Sequence, residues 1–177
     1  MKCLKRILII SFALCLTMFN YAYANQWDWN SAAGKHNQSL LLVNGELASS
    51  DSYYRYGRGD YLAEGSVQIT NNQDGTLGIS AQTLAHRNVD RIIHSIFIDV
   101  WDAERNDWVN LDYWDFEKTK EEQSNGELYM LLTSFTLSGY EVNRYYRLRG
   151  LHGVELYDEL EACATETDGV KLTDWRN

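Results

Sequence analysis

Proline is absent from all 177 residues. A wall-sorting motif contains one, so that route to the cell wall is excluded, and without an apolar C-terminal run the product is expected to be released rather than tethered. Cysteine is nearly absent too: Cys3 and Cys15 fall in a segment expected to be removed, which leaves Cys163 alone. A lone exported thiol has no intramolecular partner. It can pair between molecules, but its ordinary role is that of a small buried apolar residue, and the fold must rest on its core rather than on disulfides.

Histidine is scarce and badly spaced for metal. His36, His86, His94 and His152 form no H-x-H or H-x-x-x-H pair, and one cysteine cannot complete a zinc signature. His94 shares the apolar Ile92–Ile96–Ile98 face and reads as a hydrogen-bonded core residue. His152, after an Arg-Tyr strand, reads as a strand-end or loop residue. No serine lies in G-x-S-x-G, no glycine loop suits a phosphate, and nothing around Cys163 would activate it. Carboxylates are abundant (Asp99, Asp102, Asp107, Asp112, Asp115, Glu117), so the nearness of two says little about glycoside hydrolysis. "NNQDG" and the Asp102–Asp107 turn miss the EF-hand spacing and read as plain polar turns. No catalytic residue, cofactor or metal ligand is assigned.

Positive charge is in short supply. "MKCLKR" carries Lys2, Lys5 and Arg6, a 13-residue apolar run follows from Ile7 to Phe19, and "AYA" ends at Ala24. That is the order of an export signal cleaved before Asn25, and the run is shorter than the roughly 20 residues a spanning helix needs. Leu14 before Cys15 argues against a lipid anchor, which wants a small residue there. Three of the 16 basic residues and none of the 25 acidic ones lie in 1–24, leaving 13 against 25 and a net charge of −12. Such a surface repels nucleic acid and anionic lipid. The expected location is extracellular, with no stable membrane insertion after cleavage.

What is present reads as β-structure. "SVQIT" (66–70) alternates, "NNQDGT" reverses the chain, and "LGISAQT" resumes the alternation. "IIHSIFIDVW" puts Ile92, Ile96, Ile98 and Val100 on one side, and "DAERND" turns the chain into "WVNLDYW". "ELYMLLTSFTL" (127–137) is apolar enough for a central strand. "DFEKTKEEQ" (115–123) reads as a solvated loop, and "VELYDELEACA" (154–164) as a final edge strand rather than a short helix. Short strands between Asn-Gly and Asp-Gly turns, with no linker or repeat, predict one all-β antiparallel β-sandwich.

The densest polar run is "NRYYRLRGLHGV" (143–154). Alternation sends Val142, Tyr146 and Leu148 inward and Asn143, Tyr145, Arg147 and Arg149 outward. Arginines beside a tyrosine on a wet strand face need no ligand, and an acidic chain offers them cross-strand partners. Six tryptophans (Trp27, Trp29, Trp101, Trp108, Trp114, Trp175) are the stronger hint of recognition, since flat exposed rings stack on sugars, though they also fill cores. Trp101 lies opposite the isoleucine face. "RGD" (58–60) reads as a chance tripeptide.

"GYEVNRYYRLRGLHGVE" with "TDGVKL" (Thr167–Leu172) resembles the C-terminal part of a family of exported proteins of unknown function from Gram-positive, largely clostridial bacteria, with a V-x-x-G-Y-Y-Y-R-V-x-G-x-H strand and a terminal T-D-G-[IV] motif. "GRGDYLAEGSVQITNNQDGTLGISAQTLAHRNVDRI" is similar to its R-G-x-Y-L…V-D segment, and "ERNDWVNLDYW" to its N-G-x-W-x-x-V-x-x-W hairpin. Asn106-Asp107 stands where Asn-Gly is usual and Asn143-Arg144 where Gly-Tyr would be; Asn tolerates left-handed backbone, so both turns are expected to form. The resemblance spans about residues 57–172 and implies a small β domain, loosely immunoglobulin- or fibronectin-like, with no catalytic residues to carry over.

The expected organisation is a signal peptide (1–24), a partly ordered N-terminal segment (25–56) and a β-sandwich (57–177). The expected function is that of an exported non-catalytic module binding an unknown extracellular ligand. A carbohydrate- or surface-binding module, using Trp101, Trp108, Trp114, Tyr145, Arg147 and Arg149, is the alternative. A small secreted hydrolase is the third reading.

Overall fold

A computed structural model describes residues 39–176 except Asn44, Arg58 and Gly59. The expected signal peptide, Trp27, Trp29, His36 and the Arg58-Gly59 pair of the tripeptide lie outside the described residues. Nine strands follow in order: β1 (Ala48–Tyr54), β2 (Leu62–Asn71), β3 (Leu77–Ala85), β4 (Arg91–Asp102), β5 (Asp107–Thr119), β6 (Met130–Leu137), β7 (Tyr145–Leu156), β8 (Glu159–Glu166) and β9 (Val170–Lys171). The one helical element among the described residues is a 3-10 turn, Lys120–Glu122. No helix there is long and apolar enough to cross a membrane.

The strands form two antiparallel sheets, β1-β2-β3-β6 and β5-β4-β7-β8, with β9 added to β7. They pack face to face without closing into a barrel, which is the sandwich the alternation predicts. Every second residue of β2, β3, β4 and β7 points inward. Val67, Ile69, Leu77, Ile79, Ile96, Ile98 and Leu148 make one core cluster; Leu62, Val89, Ile92, Leu128, Val154 and Cys163 make a second. Burial pushes the Cys163 thiol up to about 12, so it is an inert apolar filler.

Both turns form despite their departures from the family pattern: Asn143, in place of Gly, takes φ 64°, and in Asn106-Asp107 the asparagine takes φ 53° while Asp107, in the glycine's place, is not left-handed. The two polar turns use their own carboxylates. Asp74 Oδ1 accepts from the Thr76 amide and hydroxyl, and Asp102 Oδ1 accepts from the Glu104 and Arg105 amides.

Several expectations are corrected. "ELYMLLTSFTL" is not a central strand: β6 pairs only with β3 among the described residues and lies at the edge of its sheet. "VELYDELEACA" is not one strand. It ends β7, turns at Tyr157-Asp158 (φ 54° and 63°) and begins β8, a two-residue hairpin loop whose left-handed pair matches strand twist. "DFEKTKEEQ" is not all loop, since Asp115–Thr119 completes β5 opposite β4. The four-stranded sheet also reaches back ahead of residue 57 to take β1, and Leu41 bridges Gly169.

Candidate functional site

The sequence-predicted patch comes together only in part. Tyr145, Arg147 and Arg149 lie on the outer face of β7, and Trp101 pairs with Trp108 across the β4–β5 hairpin, their rings edge to face at 5.3 Å. Trp114 is elsewhere. It pairs with Ile96 and packs inside the sandwich against Phe135, centroids 5.3 Å apart. The cause is a β-bulge: the register with β4 shifts between Ile98 and Asp99, so the six-residue step from Trp108 to Trp114 crosses faces instead of staying on one.

The arginine heads are largely buried, which corrects the expectation of a wet strand face. Arg147 and Arg149 keep 12% and 15% of their side-chain surface, and Asp99 between them keeps 2%. Arg149 donates to both Asp99 oxygens (2.7 and 3.0 Å); Arg147 donates to Asp99 (3.0 Å), Glu166 (2.8 Å) and Ser39 (3.0 Å). Burial alone would push the Asp99 carboxyl up, but the Arg149 hydrogen bonds and both positive charges outweigh it and hold the carboxyl below its ordinary range. Arg147 also covers the Trp108 ring at 4.7 Å, and Arg149 the Phe97 ring at 5.1 Å. This face is knit to itself: its charges neutralise one another and its rings are capped by them.

A second polar cluster is internal. His94 on β4 and His152 on β7 stand opposite each other in register. The Thr83 hydroxyl of the facing sheet lies 3.2 Å from His94 Nδ1 and 2.9 Å from His152 Nδ1. Thr133 and Thr165 meet the two Nε2 atoms at 2.8 and 2.9 Å. Burial lowers His94 to about 4; burial and the neighbouring His94 lower His152 to about 3. His94 is the core histidine that its apolar face predicts. His152 is no strand-end residue: it is fully buried mid-strand. Its ring fits because two facing glycines leave room. A Cβ on Gly65 would lie 2.6 Å from the His152 ring and the Cys163 sulfur, and one on Gly150 2.5 Å from Val67 Cγ1.

The open cleft lies at one end of the sandwich, about 420 Å³ in volume, lined by Val100, Leu111, Asp112, Tyr140, Glu141, Arg144 and Tyr146 together with Gly139. Its wall is the same β5 bulge, which brings Leu111 and Asp112 to the rim. Its floor is the corner between β6 and β7. There the Tyr146 hydroxyl donates to the Glu141 carbonyl at 2.8 Å, as a corner tyrosine does in Greek-key sandwiches. Arg144 donates to Glu141 (2.9 Å) and to the Trp101 carbonyl (3.2 Å), tying the cleft to the tryptophan hairpin. Tyr140 stands edge to face with Tyr146 at 5.6 Å; burial, then the Asp112 charge, raise its phenol above the ordinary value, so it remains a hydroxyl donor. The cleft therefore offers an aromatic ring, an exposed leucine, two carboxylates, a guanidinium and a phenol within one small volume.

Sequence reasoning missed this group. Leu111 reads as a large apolar residue of its strand and Asp112 as one of many carboxylates, and the alternation runs back to Val142 and Asn143, whereas the strand begins at Tyr145. Asn-Arg in place of Gly-Tyr was the one local signal of a shaped corner there. A second, smaller hollow of about 230 Å³ lies on the outer face of the four-stranded sheet, lined by Ser50, Ser52, Ser66, Gln68, Ser80 and Gln82. No group of three or more His, Cys, Asp or Glu side chains placed to hold a metal occurs among the described residues.

No curated protein matches the chain. Residues 32–170 match a family described as a family of unknown function. That match covers most of the 177 residues and the whole of both sheets but for the last residue of β9. The chain belongs to the family of unknown function DUF6147.

Proposed function

We propose that this chain is an exported, non-catalytic binding module whose ligand is a carbohydrate held in the cleft between the β5 bulge and the β6–β7 corner. The observation that carries the reading is the cleft itself. Its volume falls in the range of small-ligand pockets, and its apolar surfaces (Tyr140, Leu111) stand beside polar groups of both kinds. A sugar presents an apolar ring face and a fringe of hydroxyls. Tyr140 and Leu111 suit the first; Asp112 accepts, while Arg144 and the Tyr140 phenol donate, to the second.

Binding is favoured over catalysis by the state of the carboxylates. In the cleft Glu141 is ion-paired to Arg144, and on the neighbouring outer face Asp99 is held low by two arginines, which gives neither carboxylate the apolar, unpaired setting of a general acid. The outer face with Trp101, Trp108, Arg147 and Arg149 is the lesser platform, because its hydrogen-bonding capacity is spent internally.

The test is a glycan array and a cell-wall pull-down with the chain from Asn25 to Asn177, beside Tyr140→Ala and a Trp101→Ala/Tyr145→Ala variant. Binding lost only in Tyr140→Ala, with the fold intact, supports the cleft. Binding lost only in the double variant moves the site to the outer face. No binding by folded protein removes the carbohydrate reading.

A further inference from the structure

The edge of the four-stranded sheet carries an inference independent of the cleft. From Leu128 to Tyr140 the chain runs thirteen residues without a charged side chain, in a protein with 25 acidic and 16 basic residues. Those residues include all of β6, an edge strand whose side away from β3 is unpaired among the described residues. Sheet proteins normally guard such edges with charge, proline or a bulge. The other edges here are guarded. β5 carries Asp107, Asp112, Asp115, Glu117 and Lys118; β8 carries Glu159, Glu161 and Glu166; β1 carries Asp51. β6 has none of these devices. It pairs with β3 over eight consecutive residues without a register shift. Met130 and Leu132, on its solvent side, are 46% and 56% exposed, beside Tyr129 at 45%.

We infer that β6 is a dimerisation edge: two copies of this chain pair their β6 strands antiparallel about a two-fold axis, joining their four-stranded sheets into one of eight. Charge decides the partner. Two copies of so acidic a chain repel wherever carboxylates meet, and β6 is the edge at which none do. The strand's own unpaired N–H and C=O groups are self-complementary when antiparallel, so a second copy satisfies both at once. The pairing also covers Met130 and Leu132. Because it uses up the edge in each copy, it closes at two chains and does not propagate.

The full chain, recovered from an exporting host, is examined by sedimentation equilibrium beside Leu132→Lys, Thr136→Lys and, on the β8 edge, Leu160→Lys. The expected result is a dimer whose dissociation constant rises more than about tenfold in Leu132→Lys and in Thr136→Lys and is unchanged in Leu160→Lys. Circular dichroism and melting verify that each variant is folded. Amide exchange across Met130–Leu137 should slow with rising protein concentration in the unmodified chain alone. A monomer at every concentration overturns the inference, as does a dimer that only Leu160→Lys weakens. Open-ended aggregates abolished by Leu132→Lys also overturn it, since they show a sticky edge without closure. A monomer that instead captures an unrelated extended peptide along β6 overturns the self-pairing in favour of a foreign strand.

Discussion

His94 and His152 face each other across the β4–β7 pair and share one hydrogen-bonding partner, the Thr83 hydroxyl of the opposite sheet. A hydroxyl has one proton. It therefore donates to one Nδ1 and accepts from the other, and each choice fixes both tautomers. Thr133, His94, Thr83, His152 and Thr165 form a single hydrogen-bonded file with two possible directions, linking β6, β4, β3, β7 and β8. With both rings protonated the Thr83 hydroxyl proton would have no Nδ1 left to accept it, and two positive charges would face each other in the core.

Acid should therefore weaken the fold. Both histidines have folded values near 4 and 3, below the ordinary 6.5 of an unfolded chain. Between those limits the unfolded chain binds more protons, so stability is full above about pH 6.5 and falls as pH drops toward 4. From pH 7 to 5 the loss is about 2 kcal/mol per histidine, about 4 kcal/mol together, a large share of a domain's stability. Urea unfolding at pH 7, 6 and 5 measures it. A flat profile over that window would mean the rings are not held neutral.

Thr83→Val keeps the shape and removes the shared proton. Two Nδ1 atoms then lose their partner in the core. The expected cost is about 2–4 kcal/mol, against less than about 1 kcal/mol for Thr83→Ser, which retains the hydroxyl. Comparable melting of the two variants would show that the hydroxyl does not hold the file together.

Strand by strand, the sheets were legible because burial imposes a period of two on β2, β3, β4 and β7. The order of strands within a sheet was not, because it depends on which distant partner arrives. "MLLTSFTL" is as apolar as a central strand and yet lies at an edge. His152 was misplaced for a related reason. Gly150 and Gly153 look like punctuation, whereas Gly150 is a site of close approach between facing sheets.

Gly150→Ala tests that approach. Its Cβ would press on Val67, the His152 ring and Thr165, all in the packed interior. Overpacking of this kind costs about 1–3 kcal/mol. Gly126→Ala adds a Cβ in open space and strains only a turn backbone with φ 66°. A clearly lower melting temperature is expected for Gly150→Ala, with a shift of the His152 ring signals that Gly126→Ala does not produce.

Removing the Asp99 carboxylate takes away the anion shared by two nearly buried guanidinium groups, of which Arg147 keeps only its pair with Glu166. Asp99→Ala is expected to cost about 3–5 kcal/mol, as breaking one side of a buried ion network does. Glu117→Ala removes an exposed partner of Arg91 at 3.5 Å and should cost less than about 1 kcal/mol. Equal effects in urea unfolding would mean that the outer-face network is no tighter than an ordinary surface pair.

The three central tryptophans should separate by face. Plain alternation puts Trp108 and Trp114 on one side of β5, and a binding patch built on both follows from it. The bulge inserts one residue between them and turns Trp114 inward onto Phe135. Nothing in the local sequence marks that insertion, because a bulge is set by pairing with β4 rather than by the residues that bulge. Trp114→Ala should therefore behave as a core truncation, destabilising by about 3 kcal/mol and lowering the melting temperature by about 6–12 °C. Trp101→Ala, at the half-exposed hairpin end, should shift melting far less. Any ligand bound by the cleft should still bind the folded fraction of Trp114→Ala with unchanged affinity, since that ring faces away from it. A Trp114→Ala protein that melts normally but loses ligand would place the ring on the surface and undo the register of β5.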